Sequence, residues 1–124
     1  MKPGEQGIAR LISATRYSWL GFKAAWKYEA AFRQELILTA IGVPLAIFLA
    51  RDLSEFLFLV ASLLLVLIVE LANSAIEALV DRVGDEYHEL SGRAKDLGSA
   101  MVFVALVSAA LTWLTVLLSI VIAS

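Results

Sequence analysis

The chain has 124 residues, 60% of them hydrophobic and 18% charged, with a formal net charge of −2 and a mean hydropathy of +0.83. Such a composition is too apolar for a water-soluble domain of this size, allows one domain, and offers no basic patch interleaved with aromatics for nucleic acid. Cysteine is absent, so disulfides and thiolate metal sites are excluded, and the first long apolar run begins near Leu36, too late for a cleavable leader.

Residues 6–27 predict an amphipathic helix lying on a membrane surface. Ile8, Leu11, Ile12, Thr15, Trp19, Phe22 and Trp26 share one stripe at helical spacing, with Arg16, Lys23 and Lys27 beside it, placed to reach headgroups. A helix packed on a protein partner would show the same stripe. Arg10, Tyr17, Gly21 and Ala24 lie on the opposite side, where a small-residue groove can face something other than lipid.

Three apolar runs follow, predicting transmembrane helices over 30–50, 56–80 and 97–123. Pro44 falls inside the first, where membrane helices tolerate it, and predicts a kink. The Arg51-Asp52-Leu53-Ser54-Glu55 link has room only for a tight turn between antiparallel helices. The run from Leu97 carries no charge to the end of the chain, and Asp96 suits its N-cap or first turn. The fold class is therefore an all-α integral membrane protein, a single domain over 1–124 with a surface helix, three spans and a polar loop over 81–96. Repeats are absent.

The most informative stretch is 66–99, which holds seven of the twelve acidic residues and the only histidine. If 66–81 is helical, Glu70, Asn73, Ser74, Glu77 and Asp81 form one stripe, while Leu67, Ile68, Leu71 and Ile76 cover other faces. An ionised carboxylate in hydrocarbon costs several kcal/mol, so such groups face a partner, a cation or a wet cavity. A polar network that glues helices together is the plainer alternative.

Charge orients the chain. Six of the ten Lys and Arg precede Leu36, one lies in the first link, three lie between the second and third spans, and none follows. The positive-inside rule places the N-terminus and the 81–96 loop in the cytoplasm and the C-terminus outside a bacterial inner membrane. Glu29, Glu35, Glu77, Asp81, Glu86, Glu89, Lys95 and Asp96 then gather at the cytoplasmic edge, with Glu70 about two turns deeper.

The familiar phosphate loops, nucleophile elbows and paired-histidine zinc motifs do not occur. The carboxylates form a hard-oxygen set that favours Mg²⁺, an ion usually shared between one or two carboxylates and substrate phosphates. Lys95 is placed to take phosphate charge, and Glu70 to act on a hydroxyl resident in the lipid. Together they predict phosphoryl transfer from a nucleotide to a lipid alcohol. Three spans cannot surround such a stripe, so a homo-oligomer is predicted, with Ala105/Ala109 and Ser108/Thr112 letting helices approach.

The run Glu70-Leu71-Ala72-Asn73-Ser74-Ala75-Ile76-Glu77-Ala78-Leu79-Val80-Asp81 resembles the signature of the prokaryotic integral-membrane diacylglycerol kinase family. Tyr17-Ser18-Trp19, Glu29-Ala30-Ala31-Phe32-Arg33-Gln34-Glu35 and the run from Glu86 to Asp96 are similar to its pattern as well. The resemblance implies a trimer of subunits with three spans and a surface helix, using MgATP to convert membrane diacylglycerol to phosphatidic acid. It implies that Glu70 is the general base, supported by Asn73, and that Glu29 and Glu77 hold Mg²⁺. Arg10, Tyr17, Glu86, Tyr87, His88, Lys95 and Asp96, with the two metal ligands, would surround ATP. Arg10, Ala14, Thr15, Arg16, Tyr17, Ser18, Trp19, Ala31, Phe32, Arg33, Gln34, Glu35, Glu70, Ser99 and Trp113 would border the lipid substrate. Residues 36–60 carry no part of the signature, so acyl-chain preference stays open. A polyprenol kinase of the same family, a small proton-coupled transporter and an accessory subunit are the alternative functions.

Each resemblance-derived role has a plainer counterpart in the residues themselves. His88 fits a solvated loop histidine, Lys95 and Asp96 fit the start of a helix, and Trp113 fits helix packing.

Overall fold

The structure, a computed structural model, describes residues 4–84, 86 and 88–124. It is built from four helices: α1 (Gly7–Tyr28), α2 (Ala30–Leu49), α3 (Leu53–Val83) and α4 (Glu89–Ala123), with no strand among the described residues. The helices α2, α3 and α4 are each long and apolar enough to cross a membrane. Pro44 lies inside α2, and the helix continues past it to Leu49. The proline withdraws one backbone donor, a loss that a membrane helix absorbs through its neighbours.

The middle of the bundle is α3, packed on α2 along one side and α4 along the other. Its buried residues are Leu59, Ser62, Leu63, Val66, Glu70 and Asn73, a stripe at three- and four-residue steps. Close approach is bought with small side chains. A Cβ at Gly42 of α2 would stand 2.5 Å from Leu63 Cδ1, and α4 turns Gly98, Ala105 and Val116 inward. Large apolar residues such as Phe103, Val104, Leu111 and Leu118 point outward instead, as lipid contact requires. An apolar core of Ala46, Leu59 and Val116, flanked by Phe56, Val60 and Trp113, closes the end near Arg51. There the Trp113 indole N–H donates to Ser62 Oγ at 3.1 Å, and that hydroxyl donates to the Leu59 carbonyl at 2.7 Å.

The first link is a reciprocal cap. Asp52 Oδ1 accepts the Glu55 N–H at 2.8 Å, while Glu55 accepts the Arg51 N–H at 2.9 Å and its guanidinium at 3.1 and 2.6 Å. Arg51 Nη1 also donates to the Ser119 carbonyl at 3.3 Å, fastening the link to the end of α4. The hydrogen bond to Glu55 raises the pKa of the guanidinium above its ordinary value.

At the other end the helices run further than their apolar residues. With 31 and 35 residues, α3 and α4 reach about 46 and 52 Å, well beyond a hydrocarbon core of about 30 Å. The polar connection is accordingly only 84–88, not 81–96, and α4 begins at Glu89, not at Leu97. His88 caps it, its Nδ1 accepting the Leu90 N–H at 3.1 Å, so Asp96 is an interior helix residue and not a cap. An α-helix needs no apolar side chains to continue in water. Here the Arg93–Glu89 pair at 3.5 Å and the Lys95–Asp81 pair at 2.9 Å line the extension.

Replacing Asp52 by alanine removes the side-chain cap of α3 and should cost about 1 kcal/mol of stability, as N-cap deletions typically do. Denaturation of the purified protein in detergent micelles, followed by circular dichroism, measures this.

Candidate active site

Glu29 is the single residue between α1 and α2, and the chain turns on it. Its N–H donates to the Ala25 carbonyl at 2.9 Å, ending α1, and its carbonyl accepts the Arg33 N–H at 3.2 Å, starting α2. The backbone at Glu29 is extended, so its half-buried side chain is held by two helices at once. Arg33 strengthens the joint. Its Nη1 donates to the Trp26 carbonyl at 2.7 Å and lies 3.4 Å from that of Lys27, satisfying the carbonyl end of α1.

Opposite this joint stands the polar stripe of α3. Counted from Phe56 at about 1.5 Å per residue, Glu70 lies about 21 Å into a hydrocarbon layer of about 30 Å, and Glu77 lies at its far edge. Glu70 is 4% exposed and Asn73 7%. Asn73 Nδ2 donates to Glu77 Oε1 at 3.3 Å. Glu29 and Glu77 are near enough to Glu70, and Glu70 to Glu35, for their charges to interact. Among the described residues no three His, Asp or Glu side chains are close enough to make a complete metal cage.

Two grooves flank α1. One, of about 720 Å³, is apolar and is lined by Trp19, Phe22, Trp26, Phe32, Leu36 and Leu67, with Lys23 and Lys27 at its side. The other, of about 640 Å³, lies between α1 and α3, where Glu29, Ser74, Glu77 and Asp81 face Ser18, Gly21 and Ala25. Glu70 stands along α3 between Leu67, which faces the apolar groove, and Ser74, which faces the polar one. Lys95 reaches the polar groove's rim through its 2.9 Å ion pair with Asp81.

The chain thus sets Glu29, Glu77 and Asp81 in one groove, with Asn73 bonded to Glu77, Lys95 paired with Asp81 and Glu70 near enough to Glu29 and Glu77 for their charges to interact, and sets Ser18, Trp19 and Phe32 on the groove walls. Arg10, Ala14, Thr15, Arg16 and Tyr17 line neither groove; Thr15 and Ser18 use their hydroxyls on the Leu11 and Ala14 carbonyls, at 2.9 and 2.8 Å. Ala31 and Gln34 are exposed, as are Glu86, His88, Asp96 and Ser99. Tyr87 lies outside the described residues. Trp113 is remote, about 22 Å along α4 from Gly98, and its N–H is held by Ser62 at the Arg51 end, so this subunit does not bring it to the carboxylates. Glu35, expected both among the acids of the cytoplasmic edge and on the lipid border, is near enough to Glu70 for their charges to interact. The periodicity of 29–36 held the signal, since Phe32 and Glu35 fall three residues apart.

Fold and site define a small multi-pass helical membrane protein whose acidic groups converge at one end of the bundle. A family model for prokaryotic diacylglycerol kinase matches residues 16–117. Among similar proteins, a diacylglycerol kinase of Escherichia coli K12 is 53% identical over 113 residues, 91% of this chain and 93% of that protein. One of Haemophilus influenzae is 50% identical over 107 residues, covering 86% and 91%, and one of Helicobacter pylori 26695 is 42% identical over 111, covering 90% and 87%. The chain belongs to the prokaryotic diacylglycerol kinase family.

Arg33→Ala should loosen the C-terminal turn of α1. A solvent-accessible charged hydrogen bond is worth about 1 kcal/mol, so amide exchange over residues 24–29 should rise about fivefold. Hydrogen exchange read by mass spectrometry on the micellar protein checks it.

Proposed function

We propose that this chain is an ATP-dependent lipid kinase that phosphorylates the free hydroxyl of diacylglycerol to give phosphatidic acid. The observation that carries the reading is Glu70. It is a buried carboxylate about 9 Å inside the hydrocarbon edge, on α3 between Leu67, which lines an apolar groove, and Ser74, which lines the groove holding Glu29, Glu77 and Asp81. A soluble phosphoryl donor and a lipid acceptor can meet only across such a boundary. The relatives named diacylglycerol kinase supply the choice of lipid.

Glu29 and Glu77 would hold Mg²⁺: two half-buried carboxylates line one groove, and an ion of this kind is usually shared between one or two carboxylates and substrate phosphates. When bound, the ion neutralises phosphate charge. Asn73 holds Glu77 in place, and Lys95, now paired with Asp81, turns to the phosphates. Glu70 takes the proton of the lipid hydroxyl as its oxygen bonds to the γ-phosphorus. The bond from that phosphorus to the β-bridging oxygen breaks, and ADP leaves. On this reading Arg10, Tyr17, Glu86, Tyr87, His88 and Asp96 complete the nucleotide site from a neighbouring subunit of a homotrimer, and Trp113 borders lipid there. The N-terminus and the 84–88 connection face the cytoplasm, where ATP is, and the C-terminus lies outside.

Transfer of radiolabelled phosphate from MgATP, with diacylglycerol and undecaprenol in separate micelles, is the decisive assay. Labelled phosphatidic acid alone supports the proposal, and labelled polyprenol alone replaces it with the polyprenol reaction. Glu70→Gln should lower single-turnover rates by about 10²–10⁴ with MgATP affinity nearly unchanged. Lost affinity with a normal chemical step would make Glu70 a binding residue.

Glu29→Ala and Glu77→Ala should each depress activity steeply and raise the Mg²⁺ concentration needed for half-maximal rate. Mixed trimers of the two inactive variants should stay inactive, because both ligands belong to one subunit's groove; regained activity would mean that Glu29 and Glu77 act from different subunits. A variant that works normally at low Mg²⁺ would remove its residue from the metal site.

A further inference from the structure

The α3–α4 seam ends beside the carboxylates at Gly98, which is buried against Asn73. A Cβ at position 98 would overlap Asn73 Oδ1 and stand 3.2 Å from its Cγ. The amide has little space to retreat, because Asn73 is 7% exposed. Its oxygen is buried without a hydrogen-bond partner, while its nitrogen donates to Glu77 Oε1 at 3.3 Å. A buried carbonyl oxygen left unpaired is costly, and the opposite amide orientation would set oxygen against the Glu77 carboxylate. The amide is therefore held with its N–H toward Glu77 and its bare oxygen against the only residue type that leaves room for it.

We propose that Gly98 is a positioning residue for the metal site: by omitting a side chain it lets Asn73 lie flat on α4 and orient the carboxylate of Glu77. The inference rests on Glu77 being a metal ligand. Helix propensity argues the same way, since alanine is favoured over glycine inside a helix and a glycine with only a backbone role would be improved by the change. Partners that orient metal-ligating carboxylates typically govern ten- to hundredfold of metal affinity.

The test is Mn²⁺ binding by electron paramagnetic resonance, with a non-hydrolysable ATP analogue, on the full chain in micelles. The set is wild type, Gly98→Ala, Asn73→Ala and the double variant. Gly98→Ala and Asn73→Ala should each weaken Mn²⁺ binding about tenfold or more, and the double variant should bind no worse than Asn73→Ala, because the clashing amide is gone. Unchanged affinity in Gly98→Ala, or losses that multiply in the double variant, would overturn the proposal. If Gly98→Ala does not fold, the double variant still must fold and bind as Asn73→Ala does; failure of either would equally overturn it. Diacylglycerol phosphorylation by the wild type is assayed in parallel. A wild type that binds Mn²⁺ and shows this coupling without phosphorylating the lipid would sink the kinase reading and leave the role of Gly98 standing.

Discussion

Glu70 sits on α3 at a depth where an ionised carboxylate costs several kcal/mol unless it meets charge, water or a proton, and the surrounding structure answers to that cost. It cannot point outward, because outward is lipid, so the stripe that carries it must face the bundle. Once that rotation of α3 is set, Asn73 and Glu77 are set too, three and seven residues further along the same face. Glu29 and Glu35 close on Glu70 from the α1–α2 side. Gathering like charges in this way is unfavourable by itself, and becomes tenable where a cation or a proton is shared among them.

The rest of the packing serves that convergence by keeping helices close where the polar groups are and letting apolar side chains do the work elsewhere. At the Arg51 end, Ala46, Leu59 and Val116 make an ordinary apolar core, and polar atoms there are few and satisfied, as in the chain from Trp113 to Ser62 to Leu59. Among the described residues four side-chain atoms are buried without partners, and besides Glu5 Oε2 these are Asn73 Oδ1, Ser74 Oγ and Glu35 Oε2 at the opposite end. Unsatisfied polar atoms concentrated in one region mark it as shaped for something other than stability.

Much of this was legible in the residues. Period-3.6 spacing found the stripe from Glu70 to Asp81, and apolar run lengths found the three spans, because lipid imposes both on sequence directly. What hydropathy could not give was where the helices stop, since α3 and α4 continue as polar helices through Asp81–Val83 and Glu89–Asp96. His88 therefore became a cap and Asp96 did not. Nor could it give Gly98. A glycine near the start of an apolar run reads as a weak helix residue, and its meaning lies in Asn73, twenty-five positions away, which only the antiparallel α3–α4 register brings against it. The Trp113–Ser62 hydrogen bond was illegible for the same reason, its two residues being fifty-one positions apart.

The two grooves give the surface helix a second purpose beyond anchoring. Phe22 and Ala24 of α1 line both, so the same short segment separates apolar space beside Phe32 and Leu67 from polar space beside Glu29 and Glu77. An interfacial helix is suited to this, because its position at the headgroup level is already the boundary between the two solvents. The segment turns Gly21, Ala24 and the buried Ala25 toward the groove on α3, and carries Trp19, Phe22 and Trp26 along the apolar one. On the proposed reading, a lipid hydroxyl reaches Glu70 from the apolar side while its phosphoryl donor never leaves the polar one. Water then has no continuous route through lipid to the transferring group. On the same reading the Arg33 clamp on the end of α1 and the single-residue joint at Glu29 keep that partition in place, for one that shifted would move the proposed metal ligand with it.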